Sequence, residues 1–277
     1  MMKKIALILI PVAIVLALAF KNNESEKTQA NSVCDSLKMS AEEHLVMSVL
    51  WYQKSAEMRA CYYQSFNMAR MALDNKLKNA GPTDKNAVVL DVDETVLDNS
   101  PFEANMILTD SAYTAKSWKF WTNKAVAKPT PGVLDFLNYA KSKGVIIFYV
   151  TNRDITDRAA TLKNMLNEKF PFADTTHILC QKKQSDKTGR YKSIAENYKI
   201  LLTIGDNLRD YNEIFGHRKT NYGLNMADSL KNRFGSEFII IPNPMYGDWE
   251  KAIYSGIFPS EVEKNKIRKA ALQGYEH

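Results

Sequence analysis

Residues 87–95 read Ala-Val-Val-Leu-Asp-Val-Asp-Glu-Thr, a short apolar run that ends in acidic residues. Its four apolar residues end directly at Asp91, which is typical of a strand buried on both faces of a parallel sheet. Similar apolar runs follow along the chain, at residues 145–150, 200–204 and 238–241. Helical patterns lie between the runs, at about 132–142, 156–169 and 190–198. Strands that alternate with helices predict an α/β fold with a doubly wound, mostly parallel sheet.

Acidic side chains follow the first and the third of these runs. Asp91 and Asp93 face the same side if the extended backbone continues, and Asp206 follows Gly205 at the end of the third run. Ligands of such sheets bind at the carboxyl ends of the strands, so we expect these carboxylates to lie close together. Neighbouring carboxylates repel each other unless a cation or a proton separates them. Three oxygen ligands without nearby Cys or His favour a hard cation, and the sequence therefore predicts Mg²⁺ here.

A hydroxyl and a lysine accompany these acids. Thr151 ends the second run, where its hydroxyl and nearby backbone N–H groups could hold a phosphoryl oxygen. Lys187 lies shortly before a predicted helix, with Lys182 and Lys183 as alternatives to it. Taken singly, an acid or a threonine after a strand is often a helix cap, and a lysine is usually exposed. The order Asp-x-Asp, Thr, Lys and Gly-Asp-x-x-x-Asp is more informative than any of these residues taken alone.

This order of motifs resembles that of the haloacid dehalogenase-like phosphotransferases, and in detail that of the bacterial class C acid phosphatases. The resemblance spans about residues 40–258 and is carried by four segments, at residues 91–101, 149–153, 205–210 and 242–249. It implies an acid phosphatase, a phosphomonoesterase with a haloacid dehalogenase-like core and a smaller helical cap domain. A non-catalytic binding or storage protein on the same fold is an alternative. Asp91, at the nucleophile position, favours the enzyme.

The resemblance also implies catalytic and metal-binding roles. Asp91 would be the nucleophile and form an aspartyl-phosphate. Asp93 would act as general acid to the leaving alcohol and then as general base for water. Mg²⁺ would be held by Asp91, the main chain of Asp93, and Asp206, with Asp210 orienting that shell.

Further residues are implied to bind the substrate. Thr151 and Lys187 match the family's phosphoryl-binding residues, and the remaining predicted contacts are Asn152, Phe102, Trp118, Trp121 and Tyr246. Aromatic residues in these segments clamp a nucleoside in the resembling family, which implies 5′-nucleotidase activity on nucleoside monophosphates. Core packing is the other explanation for each aromatic. A nucleotide-specific 5′-nucleotidase used in salvage is a narrower alternative to a general phosphatase.

Composition and charge limit the partners. The 277 residues are 45% hydrophobic and 25% charged, which is ordinary for a globular chain. The net charge of +6 is small and forms no basic stripe, which argues against a nucleic-acid polymer and agrees with small anionic phosphomonoesters. Three cysteines without a CxxC pattern or neighbouring histidines argue against zinc.

The N-terminal residues have the pattern of an export signal. Lysines at 3–4 precede an apolar run at 5–20, which ends in the small-x-small sequence of residues 17–19. A membrane span needs ~20 apolar residues, so the pattern favours cleavage near residue 20 over an uncleaved, membrane-associated N-terminus. Cys34 could indicate a lipoprotein, but the residues before it, Ala-Asn-Ser-Val, form a poor lipobox. We therefore expect an exported protein of the periplasm or cell surface.

The predicted organisation divides the chain into five parts. They are a signal peptide at 1–19, a flexible tether at 20–39, a helical part of the cap domain at 40–80, a phosphatase core at 81–258 with an insertion at 97–130, and a C-terminal tail at 259–277.

Overall fold

The computed structural model describes residues 42–81, 83–218, 220–257 and 259–275. The predicted signal peptide at 1–19 and tether at 20–39 lie outside the described residues. Within the described ranges, none of the helices combines the length and the apolar character that a membrane span requires.

A five-stranded parallel sheet forms the centre of the molecule. In chain order the strands are β1 (Asn86–Leu90), β2 (Leu97–Asp98), β3 (Lys128–Pro129), β4 (Ile146–Asp154), β5 (Ile178–Gln181), β6 (Lys199–Gly205) and β7 (Phe238–Ile240). The large sheet has the order β5-β4-β1-β6-β7 and all of its neighbouring strands run parallel, whereas β2 and β3 form a separate antiparallel pair. The predicted α/β fold with a mostly parallel sheet is confirmed.

Ten α-helices are described around these strands. They are α1 (Val46–Lys54), α2 (Ala56–Lys78), α3 (Ser100–Leu108), α4 (Ala115–Lys124), α5 (Val133–Ser142), α6 (Arg158–Asn167), α7 (Thr188–Ala195), α8 (Leu224–Ser229), α9 (Asp248–Ile253) and α10 (Glu261–Ala270). The three helices expected between the apolar runs are α5, α6 and α7, and their ends differ from the predicted ones by at most three residues.

The central strand is buried on both faces. Val88 and Leu90 belong to a large apolar core that includes Tyr62 of α2, while Ala87 and Val89 pack with Ile194 of α7 on the other side. Alternate residues of a strand point to opposite faces, so a continuous apolar run is what a strand between two helical layers requires.

The N-terminal helical segment is interrupted at Ser55. This residue has extended backbone angles, and its hydroxyl accepts a hydrogen bond from the backbone N–H of Met58 at 3.0 Å, which caps α2. Helix α2 packs against β6, β7 and α5. The division of the chain into cap and core remains a prediction.

The order of the strands places a topological switch point between β1 and β6. From β1 the chain moves outward to β4 and β5, and then returns to form β6 on the other side of β1. The crevice at such a point is where sheets of this kind bind their ligands. Asp91 and Asp206 directly follow the two strands that flank it.

Candidate active site

Three carboxylates meet at this switch point. Asp91 follows β1, Asp206 follows β6, and Asp210 ends the 3-10 helix Leu208–Asp210. One oxygen from each lies within 4.8 Å of the others. The backbone N–H of Asp91 donates to the carbonyl of Ile204 at 2.9 Å, which joins the end of β1 to β6. Pairing of the strands therefore fixes the distance between the acids.

Local contacts hold the second and third acids of this cluster. Asn243 donates a hydrogen bond to Asp206 Oδ2 at 2.9 Å, and the Thr95 hydroxyl contacts Oδ1 at 3.4 Å. The backbone N–H of Asn207 donates to Asp210 Oδ2 at 3.0 Å. Asp210 packs so closely on Gly205 that a Cβ at Gly205 would lie 2.5 Å from Asp210 Oδ2. Glycine is therefore required at the end of β6.

A buried lysine connects two of the acids. Lys187 Nζ forms an ion pair with Asp91 and another with Asp210, the latter at 2.8 Å. Lys187 is buried, whereas the alternatives Lys182 and Lys183 are exposed. Of these three lysines, Lys187 is the one that the structure places beside the carboxylates.

The acid cluster carries more negative charge than this lysine balances. Burial raises the pKa of Asp91 to about 7, with Lys187 opposing the change and Asp210 and Asp93 adding to it. Burial also raises the pKa of Asp206 well above its ordinary value, and Asp210 and Asp91 contribute. Closely spaced, buried oxygen ligands that need further positive charge fit a hard divalent cation. The residues present therefore fit the predicted metal.

Asp93 lies in a different set of hydrogen bonds. Its Oδ1 accepts from Arg153 Nε at 2.9 Å, from Arg153 Nη2 at 2.8 Å and from Asn99 Nδ2 at 2.8 Å. Its Oδ2 is 3.4 Å from the Thr151 hydroxyl. Arg153 is buried and also donates to the Thr161 hydroxyl at 3.2 Å. The charge of Asp93 is thus balanced by its own arginine.

Glu94 links distant parts of the chain behind this site. Its buried carboxylate accepts from the backbone N–H of Asn99 at 2.7 Å and from the hydroxyl of Tyr246. Its carbonyl accepts from the hydroxyl of Tyr62 at 2.5 Å. Glu94 has a φ of 55°, an uncommon value for a residue with a side chain. Burial raises the pKa of Glu94 well above its usual value, and nearby Asp93 and Asp206 add to the effect.

A cavity of about 520 Å³ opens above the carboxylates. The predicted site residues on its wall are Asp91, Asp93, Asn152, Lys187, Asp206, Trp118 and Tyr246. The other three predicted residues are not among those that line the cavity. Thr151 is fully buried, Phe102 packs edge-on against Trp118 with ring centroids 5.1 Å apart, and the indole N–H of Trp121 donates to Asn99 Oδ1 at 2.8 Å.

The sequence interpretation did not select several residues that hold these groups. They are Glu94, Asn99, Arg153 and Asn243, each of which lies inside one of the four segments quoted for the resemblance. Arg190 was also missed: it donates to Asn152 Oδ1 at 2.7 Å and to the Thr151 carbonyl at 2.5 Å. Position within a quoted motif was the available signal for the first four, and Arg190 had none.

Known proteins show the same architecture. The family model for the HAD superfamily, subfamily IIIB (acid phosphatase), matches residues 17–249. The structure of the class C acid phosphatase from Bacillus anthracis is 41% identical, with a TM-score of 0.80, and the match covers 86% of this chain and all of that one. A tungstate-bound crystal structure of the Bacillus anthracis enzyme is 42% identical, with a TM-score of 0.79, and covers 85% of this chain and 99% of that one. The similarity extends over most of both chains.

Proposed function

The chain belongs to the class C acid phosphatases of the HAD superfamily and is a phosphomonoesterase, and we propose that it is an exported, Mg²⁺-dependent enzyme acting on nucleoside 5′-monophosphates. One observation carries the proposal. A cluster of three buried or half-buried carboxylates that could hold a metal ion opens into a cavity with aromatic side chains on its wall. One cavity can therefore bind both the phosphoryl group and a leaving group that carries a planar base.

Asp91 is the proposed nucleophile. One of its carboxylate oxygens attacks phosphorus and forms an aspartyl-phosphate while the bond to the leaving oxygen breaks. Lys187, beside Asp91, neutralises charge on the phosphoryl group and on the nucleophile. Asp91, Asp206 and the main chain of Asp93 would hold Mg²⁺, with Asp210 orienting them, and the bound ion would screen the anionic nucleophile from the anionic substrate.

Asp93 is the proposed proton-transfer residue. Its Oδ1 is engaged by three short hydrogen bonds, whereas the described residues offer Oδ2 a single contact at 3.4 Å. Oδ2 is thus the oxygen placed to protonate the leaving alcohol. After the alcohol departs, the same oxygen takes a proton from the water that attacks the aspartyl-phosphate, which releases phosphate and restores Asp91. Arg153 and Asn99 fix the orientation of the carboxylate throughout.

The aromatic wall supports the choice of nucleotide substrates. Trp118 and Tyr246 line the cavity, and Tyr246 is held by its hydrogen bond to Glu94. Stacking of a nucleobase on an aromatic side chain contributes ~1–3 kcal/mol per base. A nucleoside leaving group would gain this energy, and glycerol would not.

The test is release of inorganic phosphate from AMP, sugar phosphates and glycerol phosphate, with and without EDTA. We expect AMP to be preferred, EDTA to abolish activity and Mg²⁺ to restore it. Asp91→Asn should lower turnover by several orders of magnitude, because an amide is a far weaker nucleophile than a carboxylate. Full activity in demonstrably metal-free protein would exclude the role of Mg²⁺. Substantial turnover by Asp91→Asn, checked for deamidation, would exclude the aspartyl-phosphate.

Export is supported by the sequence of residues 1–20, which precede the described part of the chain. Mass spectrometry of the protein from its native host should find an N-terminus near Phe20 and no lipid on Cys34. An acylated Cys34 terminus would show a lipoprotein, and an intact N-terminus in the membrane fraction would show an uncleaved anchor. Either result would contradict the proposed cleavage.

A further inference from the structure

Glu103 is a buried acid on the cavity wall that the mechanism above does not use. It lies on α3 and is 6% exposed. Among the residues that the structure describes, none forms a hydrogen bond or an ion pair with its carboxyl group. Its carboxyl oxygens face the cavity and are not among the fully buried polar atoms that lack a partner. A carboxyl group that faces the cavity without a protein partner is available to bind a hydroxyl group of a ligand.

The position of Glu103 relative to the reacting atoms is set by α3. Asn99 is the N-cap residue of this helix and donates to Asp93 Oδ1 at 2.8 Å. Residues four apart share one face of a helix, so Glu103 continues the face that begins at Asn99, ~6 Å further along the axis. Met106, three residues later, lines the same cavity. The helix therefore forms one wall that runs from the proton-transfer residue toward the leaving group.

We propose that Glu103 is a specificity-determining residue that binds the sugar hydroxyls of a nucleotide substrate. In a nucleoside 5′-monophosphate the sugar directly follows the leaving oxygen, which Asp93 protonates. The base extends beyond the sugar, toward the aromatic wall of Trp118 and Tyr246. This inference rests on the proposed activity toward nucleotides and adds the residue that recognises the sugar.

The ionisation of Glu103 suits this role. Burial raises its pKa to about 8, with Glu42 and Glu250 adding to the effect. The carboxyl group is therefore neutral under acidic conditions and does not repel the phosphate dianion. A neutral carboxyl group can donate one hydrogen bond and accept another from a hydroxyl. Glutamine has the same shape and the same two capacities, so it should replace Glu103 better than alanine does.

The experiment compares AMP with 2′,3′-dideoxyadenosine 5′-monophosphate in the Mg²⁺-loaded enzyme. Glu103→Ala should lower kcat/KM for AMP by about three- to tenfold and lower it little for the dideoxy substrate. Glu103→Gln should recover most of the loss on AMP. Asn105→Ala, on the exposed face of the same helix, is the matched control and should leave both values unchanged. Removing the sugar hydroxyls from the substrate should lower kcat/KM of the wild type and leave kcat/KM of Glu103→Ala unchanged. The comparison has the form of a double-mutant cycle.

Equal losses on the two substrates in Glu103→Ala would overturn the inference, because a structural defect acts on both. Unchanged values for both substrates would overturn it as well. A different outcome is that the wild type prefers AMP over glycerol phosphate while Glu103→Ala affects AMP and the dideoxy substrate equally. In that case the nucleotide proposal stands and only the role of Glu103 is rejected. If the wild type shows no preference for AMP over glycerol phosphate, both are rejected.

Discussion

Replacing Asp91 by asparagine should stabilise the metal-free protein at alkaline pH, although it removes the proposed nucleophile. Asp91 is 7% exposed and shares Lys187 with Asp210. In the absence of metal its ionised form is the unfavourable one, because burial raises its pKa to about 7. Asparagine fills nearly the same volume and never ionises. The substitution therefore removes an unfavourable charge.

The size of the effect follows from the two pKa values of this group. An aspartate in an unfolded chain has a pKa of about 3.9, whereas burial raises the pKa of folded Asp91 to about 7. The folded chain holds the proton more tightly, so stability from this group is fully present below about pH 4 and is lost as the pH rises through about 7. The difference between the two pKa values corresponds to about 4 kcal/mol. The asparagine variant lacks this loss.

The assay is urea unfolding of both proteins in EDTA at about pH 4 and about pH 8. The free energy of unfolding of Asp91→Asn, relative to wild type, should rise by up to about 4 kcal/mol between these conditions. Asp135→Asn, on the exposed side of α5, is the control and should follow the wild-type pH profile. Adding Mg²⁺ at about pH 8 should stabilise the wild type more than Asp91→Asn, because the folded wild type binds the ion more tightly.

Parallel pH profiles for wild type and Asp91→Asn would refute this reasoning. So would a variant that is more destabilised at alkaline than at acid pH. That second result would show that the ion pair between Asp91 and Lys187 contributes more stability than the burial of Asp91 removes.

Three further predictions concern the remaining groups. Asp206→Asn should weaken Mg²⁺ affinity by at least about tenfold in calorimetric titration while the protein stays folded, and an unchanged affinity would remove Asp206 from the metal site. Arg153→Lys should lower kcat by roughly ten- to a hundredfold with little change in KM, because lysine cannot reproduce the two-nitrogen contact with Asp93; unchanged kcat would contradict this. Tyr246→Ala should reduce kcat/KM for AMP by ~1–3 kcal/mol of transition-state binding and spare glycerol phosphate, whereas equal losses on both would reject base stacking.

The part of the fold that could be predicted is the part encoded in contiguous residues. The strands β1, β4 and β6 are apolar runs buried on both faces, and the polar residues that end them mark the edge of the sheet where the site lies. Strand β5 was missed because it has only four residues, alternates between buried and half-buried positions, and ends in Gln181. So short a pattern cannot be distinguished from a loop.

The residues that hold the site could not be predicted because their contacts cross long separations in sequence. Asn99 and Arg153 are 54 positions apart, and Glu94 and Tyr246 are 152 apart. Trp121 shows a related limit. Its aromatic character indicated a large apolar surface, but the sequence could not indicate that its indole N–H would donate to Asn99.

Asp91 and Asp93 illustrate how two acids separated by a single residue can have different chemical roles. Asp91 shares one lysine with Asp210 and stands next to Asp206, so one positive charge faces three carboxylates and the site is suited to a metal ion. Asp93 has its own arginine, which together with Asn99 engages one carboxylate oxygen and leaves the other placed for proton transfer. A cation is therefore needed at the nucleophile and not at the proton-transfer residue. The pairing of each acid with its basic partner, set by the strands and loops that deliver Lys187 and Arg153, separates the two roles within three residues of sequence.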